Sequence, residues 1–307
     1  MQLQLATRNQ VKIKVGIQGP AGAGKTIGAL LIAYGLCNDW SKIAVIDTEN
    51  ESASLYVNRE LQNGVTIGQF MTLPMKPQYT PERCSEAIKL CLDTPGIEVI
   101  IFDSISHEWM GKGGILDLHE QMGKMNDMQK WSKLTPRHNR FIDDILQANK
   151  HMVLCMRSKQ DYIMKEGTSA SGRATVIPEK VGLKAVTKDG VDYEFTLNFD
   201  VDINNFATAT KDRTAIFKGR PEFKIDIETG AKIKQWCDMG VDFTDQESKK
   251  KDILQNEIDD AIKKISKCET VAAMSEAKSS LPAYIVEDAS FKAAGLDRYN
   301  VIMATPA

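Results

Sequence analysis

From Val11 to Val201, short apolar runs alternate with longer amphipathic segments. The runs predict strands at Val11–Gln18, Lys42–Asp47, Val65–Leu73, Glu98–Asp103 and His151–Arg157. Several of these runs are apolar throughout, which is typical of central parallel strands that are covered on both faces. The pattern therefore predicts an α/β fold with a mostly parallel central sheet flanked by helices.

Helical spacing of apolar residues fills the intervals between the predicted strands. It predicts helices at Thr26–Cys37 and Thr80–Leu92, the second with a Thr-Pro-Glu start. Two further helices are expected between Glu108 and Lys150, separated near Thr135–Pro136 because proline interrupts helical hydrogen bonding.

The chain changes character after Arg157. A long Gly/Ser-rich and Lys-bearing loop is expected there, followed by strands at Asp192–Leu197 and Phe206–Thr210. Farther along, four apolar residues recur on one helical face: Leu254, Ile258, Ile262 and Ile265. We predict a core at residues 1–242 and a helical C-terminal tail at residues 243–307.

The composition is that of an ordinary globular protein. Of 307 residues, 42% are hydrophobic and 26% charged, which excludes a disordered or fibrous chain. Thirty-nine Lys and Arg against 41 Asp and Glu give a net charge of −2, which leaves room for a local basic surface.

The location of the chain is predicted from its apolar runs and cysteines. No run approaches the roughly 18 residues of a membrane span, and the first residues do not resemble a signal peptide. The six cysteines show no metal-binding spacing, so we expect reduced thiols and a cytoplasmic protein without membrane contact.

One segment matches the phosphate-binding pattern G-x-x-x-x-G-K-[ST] in full. Its residues are Gly19, Pro20, Ala21, Gly22, Ala23, Gly24, Lys25 and Thr26, between a predicted strand and a predicted helix. The glycines let backbone N–H groups curl around phosphate oxygens, and the helix adds the positive end of its dipole. We predict ATP binding, with Lys25 on the β- and γ-phosphates and the Thr26 hydroxyl on Mg²⁺.

Two acidic residues follow predicted strands. Asp103 ends the apolar run Glu98–Asp103, where its carboxylate would bind Mg²⁺ through water. Hydrolysis also needs a carboxylate that orients or deprotonates the attacking water, and Asp103 is followed by Ser104 rather than by Glu. The candidate is Glu49, after the run that ends at Asp47; the alternative is a solvated loop carboxylate.

Together these segments resemble the RecA-like ATPases, which include the RadA recombinases and the KaiC and DnaB-type motor proteins. The resemblance rests on Asp47-Thr-Glu49 and on Phe102-Asp-Ser-Ile105, and it covers roughly Val11 to Thr214. It implies a RecA-like P-loop core in which Glu49 activates water and Asp103 serves Mg²⁺.

A pair of basic residues, Lys211 and Arg213, follows a predicted strand and is similar to the K-x-R pair of the KaiC and DnaB branch. The resemblance implies a homo-oligomer in which the pair reaches a neighbouring subunit's nucleotide. Residues two apart on an extended segment point the same way, so both cations could stabilise a transferring phosphoryl group. An exposed basic turn is the alternative.

More narrowly, the layout resembles phage-encoded RecA-like ATPases, often labelled phage AAA-family ATPases, that serve single-strand annealing and recombination. That resemblance implies single-stranded DNA as a partner. The stretch from Arg157 to Gly190 carries seven basic and four acidic residues, and its middle is expected to be mobile. Its candidate DNA contacts are Lys159, Lys165, Arg173 and Lys180. A solvent-exposed β-hairpin is an equal alternative.

Two other functions stay open. One is a KaiC or DnaB-like oligomeric ATPase that acts on a protein partner or as a helicase component, which DNA-independent turnover would favour. The other is a small-molecule phosphotransferase, which an acceptor-dependent burst of ADP would reveal. A GTPase switch is disfavoured because the chain has no N-K-x-D motif for guanine.

Overall fold

The computed structural model of this chain describes residue 8 and residues 10–61, 64–168, 174–240 and 243–304. Of residues 160–168, 174–183 and 243–253 only the backbone is described. The contacts within the chain separate Val11–Met239 from a second unit that includes residues 243–304. The division at 242 and 243 stays a prediction.

The unit Val11–Met239 is built on one sheet. Its strands are β1 (Lys14–Gly19), β2 (Ile43–Asp47), β3 (Met71–Pro74), β4 (Val99–Asp103), β5 (His151–Thr168), β6 (Ala174–Ala185), β7 (Leu197–Val201) and β8 (Ala207–Asp212). The order across the sheet is β3-β2-β4-β5-β1-β7-β8, and β6 pairs with β5 alone. Neighbouring strands run parallel from β3 to β7, whereas β6 and β8 are antiparallel to their partners.

Helices cover both faces of this sheet. They are α1 (Lys25–Cys37), α2 (Pro81–Asp93), α3 (Ser106–Met110), α4 (Ile115–Gln121), α5 (Asp127–Gln147) and α6 (Ile227–Asp238). One apolar cluster joins α1 and α6 to the side chains of Val15, Ile17 and Val45. A second joins α2 and α5 to the opposite face through Ile46 and Phe102. The predicted α/β fold with a mostly parallel sheet is therefore confirmed.

Two glycines let α1 and α6 touch through their backbones. A Cβ atom on Gly35 would stand 2.6 Å from Ala231 N and 2.7 Å from the Cα atom of Gly230. A Cβ atom on Gly230 would stand 2.8 Å from the Cα atom of Gly35. Real Cβ contacts are longer, so both positions require glycine, and α6 is seated directly on the helix that follows the phosphate-binding pattern.

The predicted interruption near Thr135–Pro136 is wrong, because α5 continues through Pro136. The proline removes one helical N–H donor. Pro136 and Ser132, whose carbonyl loses that donor, both lie on the exposed face, where the carbonyl is open to solvent.

Two predicted strands are shorter or displaced. The run Val65–Leu73 forms a strand only at Met71–Pro74. Before it, Thr66 makes a single bridge with Glu60, and Gly68 lies against the Trp40 ring, where a Cβ atom would stand 2.7 Å from Trp40 Cδ1. The run Asp192–Leu197 begins with a 3₁₀ turn at Val191–Tyr193, which follows left-handed Gly190, and the strand starts only at Leu197.

The second unit is a small helical bundle in its own right. Its helices are α7 (Phe243–Ser266), α8 (Val271–Ser279), α9 (Ala283–Val286) and α10 (Ala289–Ala304). Its buried core contains Ile258 and Ile265 from the predicted apolar face, together with Phe291. Leu254 is exposed, so the predicted face is buried only in part. Among the residues that the structure describes, no helix has the length and apolar character to cross a bilayer.

We predict that Gly35→Ala lowers the free energy of unfolding by about 2 kcal/mol, because the added methyl group separates α1 from α6. The matched control is Gly295→Ala in α10, where the nearest atom to the new Cβ is 4.0 Å away. This control should be neutral or stabilising, by about 1 kcal/mol at most, since alanine favours helix. Urea denaturation followed by circular dichroism measures both, and equal effects would contradict the close packing.

Candidate functional site

Strand register brings the candidate residues to one edge of the sheet. Asp47 at the end of β2 is paired with Asp103 at the end of β4, and Gly19 at the end of β1 is paired with Arg157 in β5. Because β1, β2, β4 and β5 are parallel, the segments that follow these residues emerge side by side. Open α/β sheets bind ligands at this carboxyl edge.

The predicted phosphate-binding loop connects β1 to α1. β1 ends at Gly19, and α1 begins at Lys25 after Gly24. Gly22 and Gly24 have φ angles of +81° and +77°, a left-handed conformation that costs glycine no steric strain. The loop therefore turns sharply and leads directly into the positive end of the α1 dipole, which fits a phosphate group.

Lys25 and Thr26 lie at the start of α1 and already have partners. Lys25 Nζ donates to Pro20 O at 2.8 Å, so its ammonium lies over the loop that it is predicted to serve. Thr26 Oγ1 donates to Asp103 Oδ2 at 2.5 Å. A hydroxyl and a carboxylate in direct contact form the hard oxygen set that Mg²⁺ prefers, so the donor chemistry of this pair fits the predicted ion.

Asp103 is buried, with 2% of its surface exposed. Burial raises its pKa to about 6, the hydrogen bond from Thr26 opposes that rise, and the charges of Glu49 and Asp47 add to it. A nearby cation would reverse this effect by favouring the ionised form.

Asp47 shapes the loop that carries Glu49. Its Oδ1 atom accepts from the backbone N–H groups of Glu49 at 2.7 Å and Glu51 at 3.2 Å, and its Oδ2 atom accepts from Ala53 N at 3.1 Å. Asp47 is 2% exposed, so this is a buried carboxylate that organises three donors. The direction in which Glu49 leaves the sheet is therefore fixed by its neighbour two residues earlier.

The Glu49 carboxylate forms a two-point ion pair with Arg157. Arg157 Nε donates to Glu49 Oε1 at 2.9 Å and Arg157 Nη2 donates to Glu49 Oε2 at 2.6 Å. Burial alone would raise the pKa of Glu49, but the hydrogen bonds and charge of Arg157, with His107 and Lys25, lower it overall. Glu49 is thus ionised beside the loop and is held by Arg157.

A buried polar link joins the Glu49 loop to the segment after β4. Thr48 Oγ1 accepts from Ser104 N at 2.7 Å, and His107 Nδ1 lies 2.7 Å from the same oxygen. The His107 ring stacks on Tyr79 with ring centres 5.0 Å apart. Burial lowers the pKa of His107. The two contacts at Thr48 Oγ1 join the loop that carries Glu49 to the segment that follows Asp103.

Arg157 is the last residue of the strand predicted at His151–Arg157 and the first of the basic stretch. It lies within β5, opposite Gly19, and its guanidinium is engaged at the edge of the sheet. The sequence signal existed, because Arg157 directly follows the apolar run His151–Met156, as Glu49 follows Asp47. What the sequence lacked was the pairing of Arg157 with Glu49, 108 positions apart.

Lys211 lies in the outermost strand β8 and Arg213 directly follows it, and the two side chains differ in their exposure. Lys211 Nζ is buried and has no hydrogen-bond partner in the described part of the chain. Burial and then Arg213 lower the pKa of Lys211. Arg213 is exposed just beyond the end of β8, where Asp212 caps a tight turn by accepting from Thr214 N at 2.7 Å.

Distance separates Arg213 from Glu49. β8 and β2 are five strand spacings apart in the sheet order, which is about 24 Å at roughly 4.8 Å per spacing. The geometry of one chain therefore does not bring Arg213 to the carboxylate of Glu49.

The expected loop after β5 is a β-hairpin where it is described. β5 and β6 pair antiparallel, with Lys159 opposite Lys184. The Lys159 side chain is exposed, and Lys165 and Lys180 lie by backbone position in β5 and β6. Arg173 and residues 169–172, in the middle of the stretch, are outside the described residues.

Comparisons with known proteins agree with the phosphate-binding pattern. The family model described as AAA domain matches residues 11–225, which is more than half of the chain. No curated protein sequence matches significantly.

Solved structures with a similar fold include a KaiC-like protein from Pyrococcus horikoshii and the flagellar accessory protein FlaH from Methanocaldococcus jannaschii. The first is 11% identical with a TM-score of 0.38, and the match covers 66% of this chain and 80% of that one. The second is 13% identical with a TM-score of 0.35, covering 72% and 89%. Both TM-scores are below 0.5, so these likenesses carry no weight for function.

We predict that Asp47→Ala lowers ATP turnover by about 100-fold although Glu49 is retained, because the Glu49 loop loses the acceptor that positions it. The free energy of unfolding should also fall by about 2–3 kcal/mol, since buried N–H groups lose a charged partner.

The control for Asp47→Ala is Asp39→Ala. Asp39 accepts from Ser41 N at 2.9 Å and caps the turn at the opposite end of β2. Its removal should leave turnover unchanged. Phosphate release and urea denaturation check both variants, and normal turnover in Asp47→Ala would show that the carboxylate of Asp47 does not position Glu49.

Proposed function

This chain belongs to the AAA domain family, and we propose that, as a P-loop NTPase, it hydrolyses ATP with Mg²⁺ and acts on single-stranded DNA. The biological setting that we infer is phage or mobile-element recombination or annealing by a RecA-like homo-oligomer. The observation that carries the ATPase proposal is the contact between Thr26 Oγ1 and Asp103 Oδ2 at 2.5 Å, beside the glycine loop and one strand from Glu49.

Each residue has a role that its position supports. The loop from Gly19 to Thr26 would direct N–H groups at the phosphates, and Lys25 would exchange its contact with Pro20 O for a phosphate oxygen. Thr26 and Asp103 would hold Mg²⁺, Asp103 through water. Mg²⁺, when bound, neutralises phosphate charge and polarises the transferred group.

Glu49 would orient and deprotonate the attacking water. A general base must be ionised, and the lowered pKa of Glu49 satisfies that requirement at neutral pH. Its loop is fixed on one side by Asp47 and on the other by Thr48, so the backbone that carries Glu49 is in place before substrate binds.

The DNA proposal rests on the hairpin β5–β6 and its charge. The stretch from Arg157 to Gly190 carries a net charge of +3, and phosphate contacts by such residues bind nucleic acid without sequence preference. Lys159 is exposed two residues after Arg157, so the basic stretch begins next to the proposed catalytic edge. Binding of a strand on the hairpin could thereby influence hydrolysis.

The oligomer proposal rests on Arg213. This residue is exposed just beyond the end of the outermost strand, β8, and the distance of about 24 Å from β2 excludes contact with the Glu49 of its own chain. A second copy that packs its nucleotide edge against β8 would receive Arg213 beside the transferring phosphoryl group. Lys211 would join it only after leaving its buried position.

We predict that single-stranded DNA raises ATP turnover of the wild type, and that Glu49→Gln lowers turnover by about 100-fold or more while ATP binding is retained. The glutamine keeps the size of the side chain and removes the base. Steady-state phosphate release and nucleotide titration measure the two properties.

The control for Glu49→Gln is Glu51→Gln, an exposed carboxylate in the same loop, which should keep normal turnover. Undiminished turnover in Glu49→Gln would refute the role of Glu49. Turnover that is indifferent to DNA would favour the KaiC or DnaB-like ATPase with a protein partner.

We predict that Arg213→Ala lowers turnover by about 1000-fold, as loss of an arginine in trans does in other P-loop enzymes. Mixing it with Lys25→Ala, which is also inactive, should restore activity. An active interface forms where an Arg213→Ala subunit binds ATP and its Lys25→Ala neighbour supplies the arginine. In an equal random mixture about one quarter of the interfaces have this arrangement. No recovery on mixing would contradict action in trans.

A further inference from the structure

The ion pair between Glu49 and Arg157 occupies the carboxylate that hydrolysis needs. Both carboxylate oxygens accept from the guanidinium, at 2.9 Å and 2.6 Å. A two-point pair of this kind fixes the orientation of both groups and lowers the basicity of the carboxylate. In this arrangement Glu49 has a reduced capacity to take a proton from water.

We propose that Arg157 is a positioning residue that withholds Glu49 in the resting protein, and that a phosphate of bound single-stranded nucleic acid draws the guanidinium away. This proposal rests on the proposed function, since it takes Glu49 as the base. To that function it adds a regulatory step, the release of Glu49 when nucleic acid binds, and it assigns this step to Arg157.

The backbone of Arg157 links the catalytic edge to the hairpin. Arg157 N donates to Ser106 Oγ at 2.9 Å, beside the segment that follows β4. Arg157 O accepts from Val186 N at 2.7 Å, directly below the first hairpin pair, Ser158 with Ala185. One residue thus contacts the Glu49 loop, the β4 segment and the base of the hairpin.

The side chain of Arg157 is accessible to a competing anion. It is 41% exposed, and Glu49 is 26% exposed, so the pair lies at the surface rather than in the core. Arg157 and Lys159 are two residues apart on a strand and therefore point to the same face. A phosphate backbone that contacts Lys159 would pass beside Arg157, and guanidinium binds phosphate as well as carboxylate in two-point geometry.

Opening the pair is energetically accessible. A half-exposed ion pair contributes little to stability because water and salt screen it. The fraction of molecules in which Glu49 is free of Arg157 is therefore only modestly smaller than it would be without the pair. The expected gain in DNA-free turnover on removing Arg157 is therefore about two- to fivefold, rather than several orders of magnitude.

The test compares steady-state ATP turnover of the wild type, Arg157→Ala and Arg157→Lys, each with and without single-stranded DNA. Arg157→Ala should raise DNA-free kcat by about two- to fivefold, and should leave the KM for ATP unchanged because Arg157 is assigned no part in phosphate binding. The ratio of turnover with DNA to turnover without DNA should fall towards one in this variant. Arg157→Lys keeps the charge but offers no two-point contact, so its DNA-free kcat should lie between those of the wild type and Arg157→Ala.

The chain provides a matched control in Arg137→Ala. Arg137 pairs with Glu82 in the same two-point way, through Nε at 2.6 Å and Nη2 at 2.7 Å, but this pair joins two helices, α5 and α2, and does not involve Glu49. Its removal should leave turnover and DNA stimulation unchanged. Thermal unfolding of each variant shows whether a lost ion pair has altered the fold, and Arg157→Lys covers the case in which Arg157→Ala does not fold.

The double variant Arg157→Ala with Glu49→Gln separates the two proposals. If Arg157 acts through Glu49, the double variant has the turnover of Glu49→Gln alone. DNA-free turnover of Arg157→Ala that is unchanged or lower than that of the wild type overturns the withholding role. Full turnover in Glu49→Gln instead overturns the assignment of the base, and persistent DNA stimulation in Arg157→Ala overturns the coupling to nucleic acid.

Discussion

The parallel register of four strands determines where the chemistry of this protein can occur. β1, β2 and β4 end side by side, next to the point where β5 continues into the hairpin, with Asp47 opposite Asp103 and Gly19 opposite Arg157. Parallel strands require crossover connections, and here those connections place helices on both faces and leave the carboxyl edge free for loops. A one-residue slip in any pair would turn its polar end residue to the other face.

The loops on this edge are held by short polar contacts rather than by apolar packing. Asp47 gathers three backbone donors, Thr48 is bound to the segment after Asp103, and Thr26 contacts Asp103 directly. Such contacts fix positions without filling the edge with hydrophobic side chains. The charged groups that remain, Lys25 and the pair of Glu49 with Arg157, have partners that a phosphate can replace.

The local part of the site was predictable from sequence, because each signal lies within a few residues of a strand end. The glycine loop, Asp103 and Glu49 were found in this way, and the strand register brings them together. The pairing of Arg157 with Glu49 was not predicted because the two residues are 108 positions apart in the sequence. The continuity of α5 through Pro136 was missed because it depends on solvent access at Ser132, and the burial of Lys211 Nζ depends on packing at the end of the sheet.

The central claim is that this sheet edge binds the phosphates of ATP, and titration calorimetry of ATP with Mg²⁺ tests it most directly. The wild type should bind ATP, and Lys25→Ala should weaken binding by about 2 kcal/mol or more, which is roughly thirtyfold in Kd, because a charge partner of the phosphates is lost. Equal affinity in the two proteins, or no binding by the folded wild type, would contradict the assignment of this edge as the nucleotide site.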